Sequence, residues 1–167
     1  INLGGIHARA GRLAEGVQAY REALHAFDAA LRSQRLAGDV SRLRGSRAKA
    51  SMNLGYTLFK RGDFDAAQRH LSDSLRRYAP LSKDKPHLQA DVARTLVNAA
   101  HLAARRGHTG RAAALYQRGL KYFEALTAGG AAPHLEADRA NARLQYFTLD
   151  GKHIDFDRLT MAPVPRK

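Results

Sequence analysis

Side chains that can bind a peptide recur at helical spacing in the middle of the sequence. They are Arg42, Lys49, Asn53, Tyr56 and Lys60, whose spacings place them on one face of a helix. An Asn amide carries donors and an acceptor, so it can pair with a peptide bond whatever the side chain of the ligand. Lys and Arg form charge-assisted hydrogen bonds with carboxylates. This face therefore has the chemistry needed to hold an extended acidic peptide.

The same chemistry recurs 45 residues later in the chain. The corresponding positions are His87, Arg94, Asn98, His101 and Arg105, and Asn2 and Arg9 fall in the same register near the start of the sequence. Three positions are matched in kind: Lys49 with Arg94, Asn53 with Asn98, and Lys60 with Arg105. We predict that these residues form a partner-binding surface. The alternative is a solvated polar face, which any amphipathic helix has.

An internal repeat would bring these positions onto equivalent helices. Three segments align, Asn2-Leu3-Gly4, Asn53-Leu54-Gly55 and Asn98-Ala99-Ala100, and they start 51 and 45 residues apart. At fixed distances after them come a Gly (Gly11, Gly62, Gly107), a small residue (Gly16, Ala67, Ala112), a large residue (Tyr20, Leu71, Tyr116) and a second small residue (Ala23, Ser74, Gly119). Gly tolerates a left-handed turn between helices, and small residues facing large ones let the helices approach closely. The pattern predicts three helical hairpins.

These positions resemble the tetratricopeptide repeat, in which Leu-Gly, an aromatic residue, Ala-x-x-x-Phe/Tyr and a closing Pro follow one another. The resemblance covers roughly residues 1–126, and Ser51–Leu75 is the best copy. His7, Leu58 and Ala103 replace the aromatic residue, and Pro80 stands only near the place of the closing Pro. The units exceed the usual length of about 34 residues. They are similar to the extended units of kinesin light chain, of Leu-Gly-Asn-repeat scaffolds and of bacterial regulatory arrays.

The resemblance implies an α-solenoid whose concave wall is lined by the first helix of each unit. It also implies that Asn53 and Asn98 bind the backbone of a ligand. The basic residues beside them, Lys49, Lys60, Arg94 and Arg105, would then clamp the carboxylates of that ligand.

Periodicity and boundary signals predict an all-α fold. After the first helix, the expected helices are Arg12–Leu36, Val40–Arg61, Phe64–Tyr78, one that is capped by Asp84, has Pro86 in its first turn and runs to Arg106, Gly110–Leu126 and Pro133–Leu149, with breaks at Gly38-Asp39 and Gly129-Gly130. We predict a repeat domain at 1–150, made of about three units (1–37, 40–79 and 85–127) and a capping helix (133–149).

The remaining residues, 151–167, form a non-repeat extension in this prediction. Ile154, Phe156 and Leu159 are expected to pack on the last hairpin. The alternative is that Asp155 and Asp157 enter a groove of the same or a neighbouring molecule, where they would mimic an acidic ligand and allow self-association.

The positive charge is spread over the whole chain. The formal net charge is +13, with +5 in residues 1–50, +3 in residues 51–100 and +5 in residues 101–167. Such a field favours acidic partners. We predict a protein-interaction scaffold that binds an acidic or extended segment of a partner protein. Binding of nucleic acid is the rival, although Tyr56 is the only aromatic residue of the stripe that could stack on a base.

No catalytic or cofactor chemistry is indicated. The sequence has no Cys, no Gly-x-Ser-x-Gly elbow, no phosphate-binding loop and no His-Glu-x-x-His motif. His101 and His108 lie on either side of an expected helix end, which disfavours a metal site. We therefore expect a non-enzymatic protein without cofactor or metal.

The sequence also bears on location and context. It has no signal peptide and no apolar run of about 18 residues, so we expect a cytoplasmic protein without a membrane span. The chain opens on Ile1 inside a repeat. We therefore expect it to be a piece of a longer protein, and a third interpretation makes it the regulatory segment of a signalling or transcription-regulating protein.

Overall fold

A computed structural model describes residues 2–33, 40–83, 85–128 and 132–149, apart from the side chain of Asn2. Within these residues the chain forms seven α-helices and no strand: α1 Asn2–Arg9, α2 Leu13–Arg32, α3 Val40–Arg61, α4 Phe64–Tyr78, α5 Pro86–Arg105, α6 Thr109–Thr127 and α7 Glu136–Phe147, with a 3₁₀ turn at Pro133–Leu135. The prediction of an all-α fold is confirmed. No described helix combines the length and the apolar character that crossing a bilayer requires.

Each helix packs against the next one along the chain, and α3 also contacts α5. The short turns after α1, α3 and α5 divide the chain into the hairpins α1–α2, α3–α4 and α5–α6, and α7 packs on α6. Gly11, Gly62 and Gly107 occupy these turns with φ of 76°, 93° and 78°. Only glycine adopts this left-handed conformation without strain, which explains why the repeat has Gly at this position.

Close approach of the two helices in a hairpin depends on small residues. A Cβ placed on Gly55 would lie 2.8 Å from Cγ of Leu71, so α3 and α4 could not keep their separation if this residue were larger. Ala67 and Ala112, at the first small position of the repeat, are fully buried. The sequence pattern of small and large residues is therefore the packing pattern of the hairpins.

The core consists of clusters of buried apolar residues between neighbouring helices. Between α2, α3 and α4 it contains Val17, Leu54 and Leu71. Between α5, α6 and α7 it contains residues such as Val97 and Phe123. Burial of each side chain of this size contributes about 1.5–3 kcal/mol, which makes contact between neighbouring helices the main source of stability.

Most of the predicted helix boundaries hold, with specific corrections. The expected bounds of α3 and α4 are those observed, Pro86 begins α5, and α6 is one residue longer at each end than expected. The second helix was expected to reach Leu36, but α2 ends at Arg32 because Ser33 is extended and its hydroxyl donates to the carbonyl of Ala30 at 3.0 Å. Residues 34–36 lie outside the described residues.

Smaller corrections apply nearer the C-terminus. The fifth helix ends at Arg105 rather than Arg106, whose N–H bonds back to the last turn. The capping helix begins as a 3₁₀ turn at Pro133 and ends at Phe147 rather than Leu149. The prediction of Asp84 as the cap of α5 is wrong by one residue, because Lys85 holds the N-cap position. The predicted breaks at Gly38-Asp39 and Gly129-Gly130 and the extension 151–167 lie outside the described residues, and the predicted unit boundaries stay predictions.

Candidate functional site

An open cleft of about 340 Å³ lies between α1, α2 and α3. We call it the α1–α3 cleft. Four of the predicted site residues line it: Arg9, Asn53, Tyr56 and Lys60. They come from two first helices of the repeat, so the hairpin stack brings together side chains that are 51 residues apart in the chain. None of the described residues that line this cleft carries a carboxylate, and two of them are cationic.

Tyr20 of α2 forms the inner wall of the α1–α3 cleft. Its ring is buried, and a Cβ on Gly4 would lie 2.9 Å from that ring, so the backbone of α1 rests directly on it. Burial raises the pKa of Tyr20, while the charge of Arg9 and a hydrogen bond with the Asn53 amide oppose the shift. The amide of Asn53, the Tyr20 hydroxyl and the Arg9 guanidinium therefore converge on the same wall.

The outer edge of this cleft is aromatic and cationic. Tyr56 is 39% exposed, and its ring centroid lies 6.2 Å from that of Phe59. Lys60 is exposed one turn further along α3. Neither Lys60 nor Arg9 forms an ion pair with a described residue. Both cations can therefore bind an anion from solution without breaking a described salt bridge.

A second cleft of about 490 Å³ lies between α3 and α5. We call it the α3–α5 cleft. The predicted residues Arg42 and Lys49 line it together with His87. Lys85 donates to the hydroxyl of Ser41 at 2.8 Å and so joins the beginnings of the two helices. The predicted stripe thus follows two successive clefts between first helices.

Asp91 of α5 occupies the α3–α5 cleft and engages two of the predicted clamp residues. Nζ of Lys49 lies 3.6 Å from Oδ2 of Asp91, and Nη1 of Arg94 donates to Oδ1 at 3.2 Å. Tyr78 of α4 also donates to this carboxylate, at 3.2 Å, and burial next to Asp91 raises the pKa of the Tyr78 hydroxyl. Arg94 in turn donates to Asp138 of α7 at 2.8 Å.

Lys49 and Arg94 therefore link α3, α5 and α7 through ion pairs. The sequence contains a signal for one of these pairs, because Asp91 stands one helical turn before Arg94, at a spacing that favours an ion pair. The contact with Lys49 comes from the packing of α3 against α5 and has no such local signal.

Arg94, Asn98, His101 and Arg105 line neither cleft. Asn98 is half-buried, and its amide has no hydrogen-bond partner within the described part of the chain. His101 lies edge-on to the ring of Tyr116 at 5.5 Å, and burial lowers its pKa, which keeps the imidazole neutral at neutral pH. Arg105 is exposed at the end of α5. Asn2 begins α1, and its side chain lies outside what the structure describes.

Among the described residues, no three His, Asp or Glu side chains cluster in a way that could hold a metal ion. The groups that converge in the α1–α3 cleft are two cations, an amide and two phenols. Their chemistry is recognition of anions and of peptide groups by hydrogen bonds.

Residues 48–72 match the family model of the tetratricopeptide repeat. The match spans the second half of α3 and the first part of α4, including the Gly62 turn. No curated protein matches the chain. The fold is an all-α helical repeat, and the family match together with the glycine-turned hairpins supports the predicted resemblance to the tetratricopeptide repeat. The similarity to kinesin light chain and to the other extended-unit proteins stays a prediction.

Proposed function

We propose that this protein is an interaction module that binds an acidic, extended segment of a partner protein along α1, α3 and α5. Tetratricopeptide repeats generally mediate protein–protein interaction, and the family match supports that general role here. The nature of the ligand and its place on the module are the proposal.

The observation that carries the proposal is the composition of the α1–α3 cleft. Arg9 and Lys60 stand at a cleft without a lining carboxylate, and neither cation is neutralised by a described partner. Asn53 lines the same cleft. A peptide in this cleft would place carboxylates on the two cations and a backbone amide on Asn53, with Tyr56 covering one side chain.

The ligand would continue along α5 in this proposal. The amide of Asn98 is unpartnered and Arg105 is exposed, so both can act on a ligand without a prior rearrangement. Lys49 and Arg94 have a weaker part, because Asp91 and Asp138 already offset their charges. Arg42 and His87 line the α3–α5 cleft. His101 packs against Tyr116 and would not contribute a charge to ligand binding.

A direct test uses fluorescence anisotropy with an extended peptide of alternating Glu and Gly. We expect the double variant Asn53→Ala/Asn98→Ala to weaken binding about thirtyfold, since each amide supplies hydrogen bonds worth about 1 kcal/mol. Asn141→Ala is the matched control, because Asn141 is an exposed amide on α7. If the double variant binds as tightly as the wild type at matched stability, these amides do not hold the ligand.

A charge reversal tests the cations of the α1–α3 cleft separately. Arg9→Glu/Lys60→Glu should abolish binding of the acidic peptide. The variant Arg111→Glu/Arg118→Glu, which removes the same charge from exposed positions on α6, should weaken binding only modestly. Equal losses in both variants would mean that net charge, and not the cleft, attracts the peptide.

A salt titration distinguishes binding of nucleic acid, the rival function, from binding of an acidic peptide. A protein that contacts many phosphates loses affinity steeply as salt rises, and similarly for every sequence. We therefore expect a single-stranded oligonucleotide to bind more weakly than the acidic peptide at physiological salt, and to be insensitive to the two Asn substitutions.

A further inference from the structure

A cleft of about 620 Å³ lies where the ends of three helices meet, and it is larger than either cleft described above. It is bordered by the end of α2, the beginning of α3 and the end of α4. Four arginines line it: Arg32, Arg44, Arg76 and Arg77. We call it the arginine cleft.

Positive charge is in excess among the described residues that line this cleft. Asp28 is the one carboxylate among them, and it is engaged by Arg47, whose Nε donates to it at 2.8 Å. Arg76 and Arg77 share the carboxylate of Asp73, at 2.6 Å and 2.9 Å.

Arg32 and Arg44 form no ion pair with a described residue. These two guanidinium groups are therefore available to an external anion, while the local carboxylates are already saturated by other arginines.

The rest of the arginine cleft is aliphatic. Leu31, Val40 and Leu81 line it beside Pro80, and Val40 is 37% exposed. An inorganic anion would leave these side chains uncovered. A nucleic acid would lack a stacking partner, because none of the described lining residues is aromatic. The combination of arginines and aliphatic side chains is complementary to a protein segment that carries both carboxylates and leucine-sized side chains.

The arginine cleft is separate from the proposed peptide site. It shares no lining residue with the α1–α3 cleft. Arg44 and Asn53 are both on α3, but their separation along the helix is about two and a half turns, so they point to opposite faces. A ligand in one cleft would therefore not contact a ligand in the other.

We propose that the arginine cleft is a second docking site, which binds an acidic amphipathic segment of another protein. The carboxylates of that segment pair with Arg32 and Arg44, and its apolar side chains cover Val40 and Leu81. With both sites occupied, the module holds two acidic segments on opposite faces of α3.

The probe is a fluorescent peptide of about 12 residues with Leu at helical i, i+3, i+4 and i+7 spacing and Glu elsewhere. We expect Arg32→Glu/Arg44→Glu in the full chain to weaken its binding at least tenfold, because two charge-assisted contacts are lost and reversed. The control Arg111→Glu/Arg118→Glu removes the same charge and should change affinity less than about threefold. Thermal unfolding confirms that both variants are folded.

Three results would overturn the proposal. The first is an equal loss of affinity in the two variants, which would reflect net charge alone. The second is binding that is abolished by Arg9→Glu/Lys60→Glu and unaffected by Arg32→Glu/Arg44→Glu, which would place the probe in the α1–α3 cleft. The third is unchanged affinity for a peptide with Ser in place of Leu, which would mean that the aliphatic part of the cleft takes no part.

A competition arm identifies the occupant. If an unlabelled peptide of residues 150–167 displaces the probe as well as the unlabelled probe does, the occupant is the end of this same chain and the assignment to a second protein is wrong. If it does not compete, the assignment stands. Failure of the Glu-Gly peptide to respond to Asn53→Ala/Asn98→Ala would affect only the first site, so the two proposals can fail independently.

Discussion

The carboxylate of Asp73 shows how one residue can stabilise the junction of two helices. Arg47 of α3 forms an ion pair with it, Arg77 donates to it at 2.9 Å, and the hydroxyl of Ser51 donates to it at 3.2 Å. Burial alone would raise the pKa of Asp73, but these hydrogen bonds and the arginine charges lower it to about 2. The ionised form therefore holds α4 against α3.

This lowered pKa predicts a loss of stability in acid. The pKa of Asp73 is about 2 in the native state and 3.8 when unperturbed. The stabilisation by its ionised carboxylate is therefore fully present above the unperturbed pKa, and it is lost as the pH falls through the native pKa. The free energy of unfolding should decrease by about 2 kcal/mol over that interval. Urea unfolding at a series of pH values measures it.

Substitution assigns the effect to this carboxylate. Asp73→Asn should flatten the acid part of the pH profile, whereas Asp65→Asn, which removes a highly exposed carboxylate from the same helix, should leave it steep. Parallel profiles for wild type and Asp73→Asn would contradict the assignment.

Equivalent positions in successive first helices have different surroundings. Leu54 of α3 is 0% exposed and belongs to the core between α2, α3 and α4, whereas Leu3, at the same repeat position in α1, is 58% exposed. The helix α3 lies between two neighbours, while the described residues cover only one side of α1.

The two leucines are consequently a matched pair for mutagenesis. Leu54→Ala should destabilise the chain by about 2–5 kcal/mol, because it leaves a cavity in the core. Leu3→Ala should change stability by less than about 0.5 kcal/mol. Denaturant unfolding of both variants provides the comparison, and similar costs would show that the outer side of α1 is covered in solution.

Across the whole molecule, Asp91 connects the proposed peptide-binding face to the packing of the stack. It is 5% exposed, accepts from Tyr78 of α4, and pairs with Lys49 of α3 and with Arg94, which also reaches Asp138 of α7. The same two cations that the sequence analysis predicts to bind a ligand thus link the first helices α3 and α5 to the last helix, α7.

Asp91→Asn should separate these two roles. The variant should lose about 1–3 kcal/mol of stability, because buried donors lose a charged acceptor. Its affinity for the Glu-Gly peptide should rise, since Lys49 is released and Arg94 keeps only its ion pair with Asp138. Thermal unfolding and anisotropy measure the two effects. A fall in affinity at a temperature where the variant is folded would mean that Lys49 and Arg94 need Asp91 to bind the ligand.

How far the sequence predicts this molecule depends on whether a feature is local. The bounds of α3 and α4 and the three left-handed glycines follow from periodicity and turn chemistry, which act over a few residues. The end of α2 was missed because it depends on a hydroxyl–carbonyl bond at Ser33. Asn53 and Lys60 share a helix, so their common face was predictable.

Features made by several helices were not predictable in the same way. The contact between Lys49 and Asp91 joins α3 to α5, and the arginine cleft takes residues from the ends of three helices. The spacing of residues along the sequence does not predict such contacts, because each contact depends on how the helices pack against one another.

The three glycine turns also bear on how the chain reaches its native state. Each turn joins two helices through a few residues, so most of the contacts inside a hairpin are close in sequence. Chains with such low contact order fold quickly, and in helical repeats folding can begin in any unit and spread to its neighbours. The α3–α4 hairpin, which packs against helices on both sides, is where we expect the nucleus to form and from which the remaining hairpins are added.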